Sequence, residues 1–559
     1  MFSLSCVSFR EQKWGPFGWF NGSYTVNPTK RNPMTAISSI DDKHSIEGSL
    51  FAKADKKYMQ LKELTLSDEW SSKPHDEIER LVEVLGREVM LYLYEVCLEH
   101  RAQCTLVEEQ AVIGSDDVER AHVRPSERRL SCIFGTAHLE REGYSARGAT
   151  SLFPVDADLN LPQESYSFEL RRRAAQRVTE GSFDNATQAL REATGTKIGK
   201  RQVENLVGWS TQDFEEFYRQ REAGCLTDES SEILVLSFDM KGVVVRHQDL
   251  REKTRKAAEV KKPKLDKRRT SGEKRNRKRM AAVATVYTLP RWERTAQQVI
   301  DGLRGDTSVE DGPGPRPKPE NKRIWAKVSD KAEDVVEQVF EEALARDPHQ
   351  EKRWVILLDG DRHQLYWFKR ALKRHGLKAT IVLDIIHVIE YLWIAAHAFC
   401  GAETKEAEKW VDERLEKILK GKAGWVAGGM RRSAKLRGLS ASKTERVEKC
   451  AKYLKNYSRY LRYDEALDAG FPIGTGVVEG ACRYLIGDRL DITGARWSLE
   501  GAEAVLRLRA LHGSGDFDAY WEFHKQKEYE RNHGSRYASG EHPELIRPEG
   551  RSHLRLIKS

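Results

Sequence analysis

The sequence predicts an α/β protein, and one stretch carries most of that prediction. Residues 354–393 begin with an apolar run from Trp354 to Leu358, which is short enough for a buried strand. A helical pattern follows and ends at Gly376, and a second apolar run covers residues 380–383. This order of strand, helix and strand is a βαβ unit. Two further β-prone runs, Glu232–Phe238 and 280–289, extend the predicted sheet.

Acidic residues directly follow three of the predicted strands. Asp239 follows the run 232–238, Asp359 follows Leu358, and Asp384 follows the run 380–383. Open α/β sheets place their sites at the carboxyl ends of strands, and Asp is a poor strand residue. The acids therefore indicate a functional site. The alternative for any one of them is that it caps the next helix.

Composition excludes several classes of protein. The chain has 559 residues, of which 39% are hydrophobic and 32% charged, with a net charge of +8. No run of 18 apolar residues occurs, so no membrane span is expected. The eight cysteines form no CxxC pair, which excludes a zinc knuckle and favours a reducing, cytoplasmic location. Walker A, GxSxG and helix-opening GxGxxG motifs are absent.

The N-terminal part is predicted to contain DNA-binding modules. Residues 1–74 show little periodicity and are expected to be poorly ordered, whereas 76–101 have helical spacing. Residues 129–144 are predicted to form a hairpin around Gly135. Three short helices follow at 167–178, 183–194 and 199–207. They resemble a helix-turn-helix with a recognition helix near 197–205, which would present Lys200 and Arg201 to DNA; an ordinary helical bundle is the alternative.

A strongly basic segment interrupts the predicted sheet. Residues 251–279 hold fifteen Lys or Arg and four Asp or Glu, and they show no aliphatic periodicity. A solvated loop is the ordinary interpretation of such a run. Beside an acidic site, however, a polycation favours a nucleic-acid substrate, because phosphate neutralisation dominates nucleic-acid affinity. The DNA-binding candidates of this segment are Lys261, Lys262, Lys264, Lys267, Arg268 and Arg269.

The remaining chain alternates between predicted loops and helices. Residues 305–323 are predicted to be a loop, 327–345 a charged helix, and 400–465 a basic helical insertion. A helical pattern opens at Glu479 after a glycine-rich approach, and Arg483 lies one turn further on, where it could contact a phosphate. Another helix is predicted at 499–511. The polar tail, 515–559, is expected to be loosely held.

Asp239, Asp359 and Glu479 form the candidate catalytic set. Successive members are 120 residues apart, and the sequence gives this equal spacing no physical meaning. Three carboxylates converging from separate elements can hold two Mg²⁺ or Mn²⁺ ions, which prefer oxygen ligands. Such a pair activates water or a 3′-hydroxyl in phosphoryl transfer. The set therefore predicts a nuclease or a DNA transferase.

Five stretches resemble the ISKra-four family of bacterial insertion-sequence transposases. They are LSFDMKGVVVRHQDLREKTRKAAE, KRMAAVATVYT, ILLDGDRHQL, IVLDIIHVIEYLW and GVVEGACRYLIGDRLDITGARWSLEGAEAVLRLRAL, which occur in order within 125–525. The resemblance implies an RNase H-like catalytic domain of the DDE type, preceded in the chain by helix-turn-helix-like and hairpin modules. It also implies Asp239, Asp359 and Glu479 as the three acids. Asp384 and His387 match a D-x-x-H motif of related transposases, and Asp361 and Asp384 both compete with Asp359 for the middle position.

The resemblance also predicts the organisation and partners of the chain. The catalytic domain would cover 230–399 and 471–514, interrupted by a helical insertion at 400–470. The DNA-binding region would cover 75–225, between a poorly ordered segment at 1–74 and a polar tail at 515–559. The expected partners are the terminal inverted repeats of the element, target DNA, and further copies of this chain, as a homodimer or larger oligomer in the bacterial nucleoid. A structure-specific nuclease and an inactive, domesticated DNA-binding protein are the alternatives.

Overall fold

The computed structural model has a mixed α/β fold and describes residues 50–106, 111–221, 231–260, 276–305, 315–402, 404–492 and 494–546. The strands in these ranges are β1 (Thr105–Leu106), β2 (Val112–Ile113), β3 (Glu119–Arg120), β4 (His122–Cys132), β5 (Gly135–Ser145), β6 (Ile233–Val244), β7 (Lys278–Leu289), β8 (Glu320–Lys327), β9 (Arg353–Leu358), β10 (Thr380–Leu383) and β11 (Leu545–Ile546). The chain divides into two compact units, Met1–Ala52 and Lys53–Ser559. The second unit contains all of these strands.

The same ranges contain α-helices of four to 28 residues. They are α1 (Ala52–Thr65), α2 (Asp68–Ser71), α3 (His75–Ala102), α4 (Pro154–Asp158), α5 (Phe168–Glu180), α6 (Phe183–Thr194), α7 (Lys200–Trp209), α8 (Phe214–Gln220), α9 (Glu252–Val260), α10 (Ala296–Arg304), α11 (Ala332–Arg346), α12 (Arg362–His375), α13 (Ile385–Phe399), α14 (Lys405–Leu419), α15 (Ala423–Leu436), α16 (Ala441–Asn456), α17 (Tyr463–Asp468), α18 (Gly476–Cys482), α19 (Leu499–Ser514) and α20 (Phe517–Asn532).

A five-stranded mixed sheet is the centre of the fold. Its order is β10-β9-β6-β7-β8, with β6, β7 and β8 antiparallel and with β6, β9 and β10 parallel. The central strands are long apolar runs because helices cover the sheet, among them α11, α18 and α19. Strand β9 is almost entirely buried, and β7 is buried from Ala281 to Thr288. The predicted βαβ unit around 354–393 is confirmed as β9, α12 and β10.

Strand β6 differs from the prediction at Asp239. The sequence predicts a strand end there, but β6 continues without a break from Ile233 to Val244. Strand β7 pairs with it over all twelve residues, and Asp239 lies opposite Val283. The parallel partner β9 pairs only as far as Ser237. Asp239 therefore lies inside a strand, two residues beyond the point where pairing with β9 ends.

Strand β8 is not predicted by the sequence because its residues, ENKRIWAK, are polar in the first half. The predicted loop 305–323 overlaps this strand, and the helix predicted at 327–345 begins only at Ala332. Pairing with β7 explains the strand, since Ile324 to Lys327 are buried against that neighbour. The loop prediction is wrong from residue 320 onward. Residues 306–314 lie outside the described part of the chain.

The N-terminal modules largely follow the prediction. Helix α3 covers the predicted 76–101, and the hairpin around Gly135 is formed by β4 and β5, joined at Ile133 and Phe134. Helices α5, α6 and α7 match the three predicted helices within a few residues. Each of α5 and α6 begins with a serine cap, at Ser167 and Ser182.

Parts of the two segments predicted to be poorly ordered or loosely held, 1–74 and 515–559, are structured within the described ranges. Residues 52–65 and 68–71, expected to be poorly ordered, form helices α1 and α2. The tail that begins at 515 contains helix α20, which buries Phe517, Tyr520, Trp521 and His524. These four residues recur at helical spacing on one face, a pattern hidden within an otherwise polar sequence. Residues 1–49 and 547–559 lie outside the described ranges.

The predicted helical insertion consists of α14, α15, α16 and α17. These helices share a core with α13, in which Leu415, Val447, Cys450 and Leu454 are buried. Residue 403 is not described. Among the described helices, none combines the length and apolar character that a membrane span requires.

Candidate metal centre

The parallel register of the sheet brings three acids to the same level. Ile233 pairs with Arg353 and Ser237 with Leu357, so the offset between β6 and β9 is 120 residues. Extending this register by two residues places Asp239 beside Asp359. The 120-residue interval between these two acids is therefore the strand register, and the expectation that it has no physical meaning is wrong for this pair.

Strand β10 adds a third acid in the same way. Leu383 pairs with Leu358, and the backbone N–H of Asp384 donates to the carbonyl of Leu358 at 2.9 Å. Asp239, Asp359 and Asp384 thus lie side by side on neighbouring strands or just beyond their ends. Asp384 is completely buried, whereas Asp239 and Asp359 are half-buried.

Asp359 is held by the turn that follows it. Its Oδ1 accepts a hydrogen bond from the backbone N–H of Asp361 at 2.8 Å. Between them, Gly360 adopts a φ of +93°, a conformation that favours glycine. Burial raises the pKa of Asp359, and the neighbouring charge of Asp239 raises it further. Asp359 is therefore a carboxylate that a bound cation would stabilise.

Asp361 has a different local role. Its Oδ1 accepts from the backbone N–H groups of His363 and Gln364, at 2.8 and 3.1 Å, which makes Asp361 the N-cap of α12. The residue is exposed. Capping accounts for its position after β9 without a part in metal binding.

Asp384 forms a buried hydrogen-bond network with His387. Its Oδ2 accepts from the backbone N–H of His387 and contacts Nδ1 of the same residue, both at 3.0 Å. Its Oδ1 accepts from the backbone N–H of Thr475 at 2.9 Å. The hydrogen bond from Asp384 is the main reason why the pKa of His387 is raised, to about 9. At neutral pH the imidazole of His387 is therefore protonated and lies against the buried Asp384.

Glu479 reaches the same cluster from α18. It lies in the first turn of this helix, and its Oε1 accepts from the hydroxyl of Thr475 at 2.9 Å. One ligand atom from each of Asp384, His387 and Glu479 lies within 4.8 Å of the other two. Burial raises the pKa of Glu479, and the charges of Asp384 and Asp239 add to this effect. Glu479 as a whole residue is exposed, so the centre is open to solvent on that side.

Two residues that support the acids are not among the predicted ones. The thiol of Cys482 donates to Oδ2 of Asp239 at 3.2 Å, and Thr475 links Asp384 to Glu479. Cys482 lies three residues after Glu479, and Thr475 lies four residues before it. Residues at these spacings share a face of a helix. This spacing is the sequence feature from which Cys482 and Thr475 could have been predicted as neighbours of Glu479. The hydroxyl of Tyr453, which donates to the carbonyl of Asp359 at 3.4 Å, had no signal because it comes from the helical insertion.

The charge balance of the centre suits a divalent cation. Among the described residues, Asp239, Asp359 and Glu479 have no ion pair with Lys or Arg, and the pKa values of Asp359 and Glu479 are raised by burial and by other acids. Asp384 differs, because its two oxygens are occupied by Thr475 and His387. The available donors are carboxylate oxygens, which are the ligands that Mg²⁺ and Mn²⁺ prefer. The donor types therefore suit these ions, although the ligand atoms that lie within 4.8 Å of one another here belong to Asp384, His387 and Glu479 rather than to the set Asp239, Asp359 and Glu479.

A second acidic cluster lacks this property. Asp213, His524 and Glu528 are all buried and close enough to hold a metal. Arg531 pairs with both acids, however, and Arg171 approaches Glu528 at 3.4 Å. Because arginines already compensate the negative charge, this cluster is accounted for as a buried ion network between α20 and its neighbours.

The predicted DNA-binding residues fall into two groups. Lys200 and Arg201 are exposed on α7 and pair with Asp184 and Glu204 at 2.6 and 3.5 Å. Arg483 is exposed and lies 3.6 Å from Asp488. Exposed pairs of this kind are weak and leave the cations available to phosphate. The second group, which lies outside the described residues, comprises Lys261, Lys262, Lys264, Lys267, Arg268 and Arg269.

Comparison with known proteins adds only distant structural similarity. Neither a protein family nor a curated protein matches the chain, so the resemblance to the ISKra-four family stays a prediction. Among solved structures, the chain is similar to the Drosophila P element transposase strand transfer complex. The similarity covers 66% of this chain and 83% of that chain, with 8% identity and a TM-score of 0.21. A TM-score this low does not establish a common fold.

Proposed function

We propose that the protein is a DNA transposase of a bacterial insertion sequence, which binds the ends of its element and catalyses metal-dependent DNA cleavage and strand transfer. One observation carries the proposal: Asp239 and Asp359 lie side by side on neighbouring strands, Glu479 approaches them from α18, and none of the three forms an ion pair with Lys or Arg among the described residues. The five-stranded mixed sheet, with acids on its parallel strands, is compatible with an RNase H-like catalytic domain of the DDE type.

Asp239, Asp359 and Glu479 are the residues that would hold two ions in this proposal. When bound, Mg²⁺ or Mn²⁺ activates water or a 3′-hydroxyl and stabilises the leaving oxygen of the phosphodiester. The protein would keep the acids in place through hydrogen bonds that are already present. Cys482 holds Asp239, and Thr475 holds Glu479. Fixed ligands of this kind reduce the reorganisation that ion binding requires.

Asp384 would act as a positioning residue rather than as the middle acid. It is completely buried, and its oxygens accept from Thr475 and His387. His387 would present a positive charge beside the acids. Because Nδ1 is occupied by Asp384, Nε2 is the ring nitrogen that could donate to a phosphate oxygen. Asp359 is then the middle acid, and Asp361 remains a helix cap.

DNA would approach over basic and exposed parts of the chain. The proposed contacts are Arg483 beside the acids, Lys200 and Arg201 on α7, and the basic residues of 261–269. Phosphate contacts from such residues would orient the duplex, because they fix register and orientation without reading sequence. In the proposal, two or more copies of the chain assemble on the terminal inverted repeats in the bacterial cytoplasm, at the nucleoid.

The proposal can be tested with DNA that flanks the gene in its native replicon. The purified protein is incubated with fragments of both flanks, a target plasmid and Mg²⁺ or Mn²⁺, and cleaved and joined products are sequenced. We expect both products, and we expect none from Asp239→Asn, Asp359→Asn or Glu479→Gln. Glu500→Gln is the matched control, since Glu500 is also an exposed acid in the first turn of a helix.

The products distinguish the alternatives. Cleavage without joining would replace the transposase with a structure-specific nuclease that uses the same acids. DNA binding without cleavage, under every metal condition, would identify an inactive DNA-binding protein. Full cleavage in EDTA would show that the reaction does not need a divalent metal ion.

A further inference from the structure

A pocket at the edge of the sheet has four cationic residues in its lining, Arg221, Lys322, Arg323 and Arg346. It has a volume of about 510 Å³ and is formed by the start of β8, the end of α11, the junction of α19 and α20, and Arg221. We call it the cationic pocket. The charged or titratable residues that line it are Arg221, Lys322, Arg323, Arg346, His512 and Asp516.

The cationic pocket is separate from the candidate metal centre. In the strand register, Arg323 of β8 lies opposite Val286 of β7, and Val286 lies opposite Leu236 of β6. Leu236 is three positions before Asp239. Three strand residues span about 10 Å, and β7 lies between β6 and β8. The pocket therefore lies towards the other end of the sheet and on its outer strand. Any ligand in it would not touch the acids.

Positive charge exceeds negative charge in and directly behind this pocket. Arg221 pairs with Asp516 at 2.8 Å. Glu342 is not part of the lining but contacts two guanidinium groups of it. It forms an ion pair with Arg323 and accepts a hydrogen bond from Nε of Arg346 at 2.8 Å. Lys322 adds a further cation, and it has no ion pair with any described residue. Four cations therefore face two carboxylates, an excess of two positive charges.

Two nitrogen atoms of the pocket make no hydrogen bond to a described residue, although the guanidinium of Arg323 stacks on the rings of Tyr218 and Trp325. Among the described residues, Nε of Arg323 and Nε2 of His512 are buried without a hydrogen bond. Arg346 is only 1% exposed. Burial lowers its pKa, and the charges of Arg323 and Arg221 lower it further, against the raising effect of Glu342. A multivalent anion would reduce the repulsion between the guanidinium groups and could accept from the free Nε–H of Arg323.

We propose that the cationic pocket binds a phosphate group. Guanidinium groups match the geometry of phosphate oxygens and bind them in pairs, and Lys322 would add a point charge. The volume is typical of a small-molecule site. The phosphate belongs either to a free phosphorylated compound or to a DNA backbone that reaches this edge of the protein, and the chemistry of recognition is the same for both.

The test compares two variants that differ only in their position relative to the pocket. Lys322→Gln removes the unpaired cation, and Lys318→Gln removes an exposed lysine just before the same strand and outside the pocket. Both residues are exposed, so both variants should fold. Binding of inorganic phosphate and pyrophosphate is measured by calorimetry at constant ionic strength. Binding of a short DNA duplex is measured over a range of salt concentrations.

We expect Lys322→Gln to weaken the binding of either pyrophosphate or the duplex at least about tenfold, while Lys318→Gln binds both like the wild type. Loss of pyrophosphate binding identifies a free phosphorylated compound as the ligand. Loss confined to duplex DNA, with a salt slope smaller by about one, identifies a backbone phosphate. If neither ligand distinguishes Lys322→Gln from the wild type, the cationic pocket is not a phosphate site. The test involves none of the proposed catalytic acids, so its failure leaves the proposed function intact.

Discussion

Replacing Asp384 by Asn should make the stability of the protein depend on pH in a new way. In the wild type, Asp384 is fully buried and accepts from Thr475 and from two nitrogen atoms of His387. Asn has the same size but one acceptor oxygen, and its amide turns a donor towards one of these donors. Hydrogen bonds to a charged group contribute ~1.5–3 kcal/mol each. Since the buried charge also costs desolvation, we expect a net loss of about 2–3 kcal/mol.

His387 determines the pH range of this loss. Its pKa is about 9 in the folded protein against 6.5 ordinarily, a difference of about 2.5. At ~1.36 kcal/mol per pKa unit, this difference corresponds to roughly 3.4 kcal/mol of stabilisation of the folded state. The side chain of His387 is 36% exposed, so solvent screening reduces the value to roughly half.

A raised folded-state pKa gives stability that is complete below pH 6.5 and is lost as the pH rises through about 9. Asp384→Asn should therefore cost most stability below pH 6.5 and less above pH 9.

Unfolding by urea at about pH 6, 7.5 and 9.5 in EDTA measures this effect, with Asp361→Asn as the control. Asp361 caps α12 as Asp384 caps α13, but no imidazole among the described residues bonds to its carboxylate. Asn and Asp cap helices equally well, so the control should change stability by less than about 0.5 kcal/mol at every pH. A loss for Asp384→Asn that is the same at the lowest and the highest pH would show that Asp384 does not keep His387 charged.

Three further predictions concern activity and local stability. Glu479→Gln should stay folded and bind DNA but lose cleavage, and cleavage at a near wild-type rate would return Glu479 to the role of a helix-stabilising acid. Gly360→Ala should lower the unfolding midpoint more than Gly376→Ala: both have positive φ, but only the Cβ at 360 meets Tyr453, 3.0 Å from its hydroxyl. Neutralising the basic residues of 261–269 should weaken DNA binding and flatten its salt dependence, and unchanged binding would make them a solvated segment.

The parts of the fold with strong apolar periodicity could be predicted from sequence. The unit from β9 to β10, helix α3 and the three helices α5 to α7 each contain a pattern that matches one secondary structure, and their observed bounds agree closely. Strand β8 and helix α20 could not be predicted, because half of β8 is polar and the apolar face of α20 is diluted by charge. Tertiary packing decides such segments.

The candidate site shows the same division. Acids that follow apolar runs could be found by inspection, and Asp239 and Asp359 lie side by side because of a register that no local pattern reveals. Asp384 could not be separated from Asp359 by sequence, since each follows a buried strand. The difference lies in their partners: Asp384 is saturated by Thr475 and His387, whereas Asp359 accepts only from its own turn among the described hydrogen bonds to its carboxylate.

The most direct test of the metal centre is the number of Mn²⁺ ions that the protein binds. Electron paramagnetic resonance of the full chain, titrated with Mn²⁺, reports the bound fraction without any need for a DNA substrate. We expect about two ions in the wild type, with at least one site lost in Asp359→Asn and in Glu479→Gln. Glu500→Gln should bind as the wild type does. Absence of Mn²⁺ binding in the wild type, or equal binding in all four proteins, would contradict the assignment of these acids to a metal centre.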